Sequence, residues 1–146
     1  MIDYRNALIK LMQAKAEILN KNGCNGELYF NDADVKDFDK MSDVQAKYVW
    51  TNLNGVIYDG TESAGLSIFF CPWCIYVRQV LLKGCAKEFC PYGRKHQLCS
   101  EHESDFFKLT EMARRDGKKA HWEIFTKEVY KNIVAAVTKE LGLNKL

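Results

Sequence analysis

The sequence predicts a mostly α-helical single domain of about five helices, with one short strand or hairpin and a cysteine-rich loop; α+β is the alternative class. Three observations predict it. Apolar residues recur at helical spacing near both ends of the chain. Two Ser-x-x-Gln/Glu pairs stand where helices would begin. Five of the six cysteines, two of the three histidines and both prolines crowd into residues 71–102, which show no clean period over 85–100.

The first helix is expected over 3–21. Tyr4, Leu8, Leu11 and Ile18 form an apolar stripe, which Ile9, Met12 and Leu19 widen. Asp3 is the expected N-cap, and Gly23 sits where the helix should end. Residues 22–41 read as a connection, with Leu28-Tyr29-Phe30 as a short strand. The run Asp32, Asp34, Asp37, Asp39 lacks the glycine and glutamate of a calcium loop, because Asp37 and Asp43 occupy those places. It is read as a solvated face.

Residues 42–58 admit two structures. Ser42 with Gln45 would cap a helix that buries Val49, Leu53 and Val56. Tyr48-Val49-Trp50-Thr51 followed by Asn54-Gly55 would instead make a hairpin. The helix is preferred. Residues 59–65 form a loop by composition, and 66–70 a buried strand running into Cys71. Ile75–Leu82 reads as a short helix closed by Gly84, and 85–100 as a loop around the cysteines. Ser100 with Glu103 would cap a helix carrying Phe106, Leu109 and Ala113. After Asp116-Gly117, a longer helix carries Trp122, Phe125, Val129, Ile133, Ala136, Val137 and Leu141.

Bulk properties exclude several classes. At 146 residues, with 47% apolar and 27% charged residues, the chain has the composition of a globular domain with a real core. A net charge of +2 gives little general attraction to nucleic acid. No apolar run approaches the roughly 20 residues that span a bilayer, so no membrane association is expected. The amphipathic start is not a signal segment. A cytoplasmic location follows as an expectation, and there six cysteines point to metal ligation or redox chemistry before disulfides.

Cys71-Pro72-Trp73-Cys74 lets two sulfurs reach one tetrahedral ion, with the other ligands coming from downstream. Cys71, Cys74, Cys90 and Cys99 would complete a four-thiolate set. Cys85 is the fifth candidate, and His96 or His102 are possible substitutes. Zn2+ is the expected occupant, since thiolates in a tetrahedral set suit it; an iron–sulfur cluster uses the same ligand type. Cys24 and His121 stand outside this pattern.

The same motif, after an apolar strand and before a helix, resembles the active site of glutaredoxins and thioredoxins. The resemblance implies Cys71 as the attacking thiolate and Cys74 as the resolving thiol of a thiol–disulfide oxidoreductase. It covers about fifteen residues. The downstream cis-proline of that family has only Pro91 to stand for it, and everything after Ser100 reads as helix. The wider pattern Cys71, Cys74, Cys85, Cys90-Pro91, Cys99 is similar to a loose group of small, uncharacterised cysteine-rich proteins from phages and Firmicutes. The similarity spans roughly residues 66–140 and departs from the group at Cys85. It implies a phage-derived protein with a structural site more than an enzyme.

No nucleophile elbow, phosphate-binding glycine loop or paired catalytic carboxylates are present, and a zinc deaminase would need a different order of Cys and His. The expected role is a small metal-binding interaction or regulatory protein, with a protein partner. Arg94, Lys95, Arg114, Arg115, Lys118 and Lys119 make up the basic residues through which nucleic acid would be held, if it is a partner.

Overall fold

Asp3 starts the first helix as expected: its carboxylate accepts the Asn6 N–H at 3.1 Å, and α1 runs Tyr4–Lys21. It buries Tyr4, Ala7, Leu8, Leu11, Met12, Lys15, Ala16 and Leu19 on one side. The helix ends in a Schellman turn. Cys24 N–H reaches Leu19 O at 2.9 Å, Gly23 N–H reaches Asn20 O at 3.1 Å, and Gly23 takes φ 81. The computed structural model describes residues 3–55, 71–84, 86–99, 101, 103–115 and 127–143. The expected loop at 59–65 and strand at 66–70 lie outside them, as does the helix break at 116–117.

Residues 28–30 are not a strand. Asn25 caps a 3-10 turn over Gly26–Leu28, and the Tyr29 and Phe30 N–H groups both return to Gly26 O, at 2.9 and 3.0 Å. Those bonds use the amides that a strand would have offered to a neighbour. Gly26 is pressed onto α1: its N–H donates to Asn20 Oδ1 at 2.8 Å, and a Cβ there would lie 2.1 Å from Ala16 O. Backbone cannot swing away as a side-chain tip can. Gly26→Ala is therefore expected to cost at least about 1–3 kcal/mol, read as a thermal midpoint several degrees lower. An unchanged midpoint would show that this turn yields freely.

The acidic run forms a second 3-10 helix, Asp32–Lys40, capped reciprocally. Asn31 Oδ1 accepts Ala33 N–H at 2.9 Å, and Asp34 Oδ2 accepts Asn31 N–H at 3.0 Å. It is not wholly a solvated face, because Asp34 is only 1% exposed. Phe38 and Met41 enter the core from the same segment.

The helix preferred for residues 42–58 forms as α2, Asp43–Gly55. Both capping-box bonds are present, Gln45 N–H to Ser42 Oγ at 3.2 Å and Ser42 N–H to Gln45 Oε1 at 2.9 Å. Ala46, Val49, Trp50 and Leu53 face inward. The next helix begins earlier than expected. α3 spans Pro72–Ile75 and widens at once into a π turn, Tyr76–Val80, where Leu81 N–H bonds Tyr76 O at 2.9 Å. The Tyr48 hydroxyl of α2 donates to Gln79 Oε1 at 3.1 Å.

Residues 85–100, expected as a loop, contain a short helix, α4, Pro91–His96. α5 spans Asp105–Arg115. Its cap is Ser104, whose Oγ accepts Phe107 N–H at 3.0 Å; Ser100, the expected cap, is outside the described residues. α6, Lys127–Leu141, corresponds to the last expected helix.

The molecule is mostly helical, and no strand occurs among the described residues. α1 packs on α2 and α6, α2 packs on α3, and α4 sits against the second 3-10 helix. Trp50, Trp73, Tyr130, Phe38 and the α1 leucines fill the shared core. The Lys10–Glu140 pair at 2.9 Å ties α1 to α6 at the surface. Among the described residues, no helix is long and apolar enough to cross a membrane.

Candidate functional site: two cysteine-proline turns

Cys71 and Cys90 occupy matching positions. Each is the N-cap of a short helix, each has extended backbone (φ −87, ψ 129 and φ −98, ψ 108), and each is followed by proline at the first helical position. An aromatic residue comes next: Cys71-Pro72-Trp73-Cys74 is echoed by Cys90-Pro91-Tyr92-Gly93. The echo is readable in the sequence once Cys90 is treated as the head of a second turn.

In the second turn a backbone N–H is directed at the sulfur, whereas Cys71 makes no side-chain cap bond. Gly93 N–H donates to Cys90 Sγ at 3.3 Å. A Cβ at Gly93 would lie 2.5 Å from Leu98 Cδ2, so a larger residue there would have to displace that side-chain tip. At Cys71 the Cys74 S–H is the strongest influence, lowering the thiol against the opposing effect of burial. The N–H groups of Trp73 and Cys74 and the charge of Lys15 add to it, and the Cys71 thiol comes down to about 7. The Cys74 thiol is pushed far up, by its bond to Cys71 first, then by burial, then by the charges of Cys71, Cys99 and Cys90. Cys71, Cys90 and Cys99 therefore lie within electrostatic reach of Cys74. None of the described cysteines is in a disulfide.

Three side chains close the interior around them. The hydroxyls of Tyr29 and Tyr92 are pushed up by burial and then by the neighbouring sulfurs. Tyr92 OH donates to Leu28 O at 2.8 Å, which holds α4 to the first 3-10 turn. Lys15 is fully buried, and its Nζ lies 4.9 Å above the Tyr130 ring. Burial brings its amine down to about 7, against the raising effect of Cys71. Composition gave no hint of Lys15. Its register did, since it falls four residues after Leu11 and four before Leu19 on the apolar side of α1.

His96 does something other than ligate. Its Nδ1 is 2.7 Å from Asp105 Oδ2 and its Nε2 is 2.7 Å from Asp34 Oδ1, so both ring nitrogens are taken. Burial alone would lower its pKa; the bonds to Asp34 and Asp105 outweigh this and raise it. The ring stacks on Tyr92 at 4.3 Å. The imidazolium thus clips the second 3-10 helix, α4 and α5 together beside the thiols.

Cys85 and His102 lie outside the described residues. Of the basic residues, Arg94 and Lys95 are turned to the chain's own groups. Arg94 donates to Lys87 O at 3.4 Å and Glu88 O at 2.8 Å, folding the preceding turn onto α4. Lys95 bonds Ala33 O and pairs with Asp37 at 3.3 Å. Arg114 and Arg115 close α5, and Lys118 and Lys119 are outside the described residues. Among the described residues, no three or more His, Cys, Asp or Glu side chains are already drawn together tightly enough to hold a metal ion. No protein-family model, curated protein or solved structure matches the chain.

Proposed function

We propose that this chain is a small metal-binding interaction or regulatory protein of a reducing compartment, in which Cys71, Cys74, Cys90 and Cys99 hold one Zn2+. The observation that carries this is the paired construction of the site. Two Cys-Pro-aromatic turns, distant in sequence, each set a cysteine at a helix N-cap, Gly93 N–H donates to Cys90 Sγ, and Cys90 and Cys99 act electrostatically on Cys74. N–H donors directed at sulfur favour thiolate over thiol, and thiolate is the ligating form. The four side chains would have to draw inward to ligate, and the ion supplies the attraction that offsets thiolate repulsion. His96 is committed to its carboxylates, so the set is all sulfur. An iron–sulfur cluster suits the same ligands. With the ion bound, residues 86–99 become a fixed surface for a protein partner. A nucleic-acid partner is the weaker reading, because Arg94 and Lys95 already serve the chain's own backbone and Asp37.

One observation favours a second reading. Cys71 stands at the N-cap of α3 with proline after it and Cys74 three residues on, its S–H lowering the Cys71 thiol, which is the placement of an attacking and a resolving thiol. In that chemistry the Cys71 thiolate attacks a substrate disulfide and releases one substrate thiol. Cys74 then displaces the second, leaving a Cys71–Cys74 disulfide.

Metal analysis and an absorption spectrum of protein purified without oxygen separate these readings. One zinc per chain and no visible colour are expected, with zinc lost in Cys71→Ser and in Cys90→Ser alike. A brown protein with iron and sulfide would select the cluster. Metal-free protein whose disulfide-exchange activity disappears in Cys71→Ser and survives in Cys90→Ser would select the dithiol.

A further inference from the structure

Among the described residues, the large apolar side chains left exposed are Val44 (79%), Leu82 (79%) and Tyr48 (44%). Adjoining elements carry them. Val44 and Tyr48 are four residues apart on α2, so they neighbour one another on one face of it. The Tyr48 hydroxyl donates to Gln79 Oε1 at 3.1 Å, which fastens that face to the π turn Tyr76–Val80. Leu82 follows at the end of this turn, three residues past Gln79. The Tyr76 hydroxyl donates to Lys40 O at 3.3 Å and draws the end of the second 3-10 helix to the same turn.

Leu82 is displayed against its own backbone preference. Its φ is 56, a left-handed conformation that leucine rarely takes and glycine takes freely. Two bonds of 2.9 Å hold the segment there, Leu81 N–H to Tyr76 O and Lys83 N–H to Val77 O. Glycine would ease the turn, so the leucine side chain serves something beyond the turn. The charge around the three side chains is mostly of one sign. Residues 39–48 and 76–84 carry Lys40, Lys47, Arg78 and Lys83 against Asp39 and Asp43, and Arg5 takes up Asp43 at 3.2 Å. Lys47 and Lys83 lie over the rings of Tyr4 and Phe89, at 5.9 and 5.4 Å. Among the described residues, none of these four basic side chains pairs with a carboxylate.

We propose that Val44, Tyr48 and Leu82 form a docking face for an acidic amphipathic segment of another protein. The three side chains seat against its apolar residues, and Lys40, Lys47, Arg78 and Lys83 attract its carboxylates. Charge and rigidity select this occupant. Two copies of the face would set like charges against each other, which disfavours self-association through it. Anionic lipid would also satisfy the basic residues, but a bilayer takes up loose apolar side chains as readily as fixed ones. Here the Tyr48–Gln79 bond and the closed turn hold the anchors in place, which lowers the ordering cost of meeting one shaped partner. The face uses none of the cysteines, so it does not rest on the metal reading.

Binding is measured by fluorescence anisotropy on the full chain, with a labelled synthetic helix that carries leucines at i, i+3, i+4 and i+7 and glutamates elsewhere. The wild type is expected to bind it, and less tightly as salt rises. Leu82→Gly is expected to keep or raise the thermal midpoint, because it relieves the backbone, and yet to weaken binding about 10-fold or more. Val44→Ser should weaken binding in the same direction, and Arg78→Glu with Lys83→Glu should do so by reversing the local charge. A Leu82→Gly variant that binds as tightly as the wild type overturns the proposal, and so does binding that ignores the charge reversal. Two other results reassign the face and overturn it as well. One is a wild type that passes over the peptide and sediments with phosphatidylcholine–phosphatidylserine vesicles. The other is a dimer, seen by analytical ultracentrifugation, that Leu82→Gly splits. A wild type that binds neither peptide nor vesicle also overturns it.

Discussion

Alanine in place of His96 is expected to destabilise the protein by about 3–5 kcal/mol, the cost of removing one partner from a buried charge pair. At this chain length that is a fall of about 6–20 °C in thermal midpoint. The effect comes from what is left behind. Asp34 is 1% exposed and, among the described residues, would keep only the Asn31 N–H; Asp105 would likewise keep only Lys108, at 3.6 Å. Three elements would lose their common clip, and Tyr92 its stacking partner. Adding Asp34→Asn to His96→Ala should recover part of the loss, because a neutral amide can still cap Asn31 without stranding a charge. Full recovery is not expected, since Asp105 remains.

The same clip makes stability depend on pH. Asp34 and Asp105 raise the pKa of His96 in the folded protein above its unfolded value near 6.5. The folded state therefore binds the proton more tightly. The contribution is fully present below about pH 6.5 and is lost as pH rises through the raised folded value. Thermal midpoints of the wild type should decline across that window, and those of His96→Gln should change much less. Parallel profiles for the two proteins would show that the imidazole is not charged between its carboxylates.

Trp73→Ala is expected to cost about 3–5 kcal/mol through the cavity it leaves. Trp73 is 1% exposed and lies against Phe38, with ring centroids 4.6 Å apart, and against Tyr76 at 5.9 Å. It joins the first cysteine turn to the second 3-10 helix, so the damage should spread from the core into the site. The checks are the thermal midpoint and the near-ultraviolet circular dichroism. Trp73→Phe should lose distinctly less on both, because a smaller ring still fills part of the space. An alanine variant as stable as the wild type would show that the neighbouring aromatics close over the gap.

The long helices were legible because period and caps agree. Asp3 and the Ser42/Gln45 pair stand at real helix starts, and Tyr4, Leu8, Leu11, Met12 and Leu19 of the stripe are buried, with Ile9 and Ile18 half-buried at its edge. The short elements were not. Leu28-Tyr29-Phe30 has strand composition, but Gly26 pressed onto α1 decides the backbone there, and only the folded neighbour reveals that contact. α4 is a six-residue helix, too short to show a period. The fate of Asp34 and His96 depended on a pairing across 62 positions, which no local pattern encodes. Cysteine spacing proposes a gathering of Cys71, Cys74, Cys90 and Cys99; in the structure the charges of Cys71, Cys99 and Cys90 act on Cys74, and no group among the described residues is placed to hold an ion. The register of Lys15 put it on the apolar side of α1, but a lysine within an apolar stripe ordinarily lies at its margin with its amine in water, so the buried amine was not legible.

The proline after each N-cap cysteine has a consequence for how the chain reaches this state. Proline fixes its own φ and holds the preceding residue to extended backbone, which is the conformation Cys71 and Cys90 have. Those constraints act in the unfolded chain as well, so little disorder is left to remove at either turn. Each Cys-Pro turn is thus roughly shaped before collapse, and folding has chiefly to seat the two turns in the core.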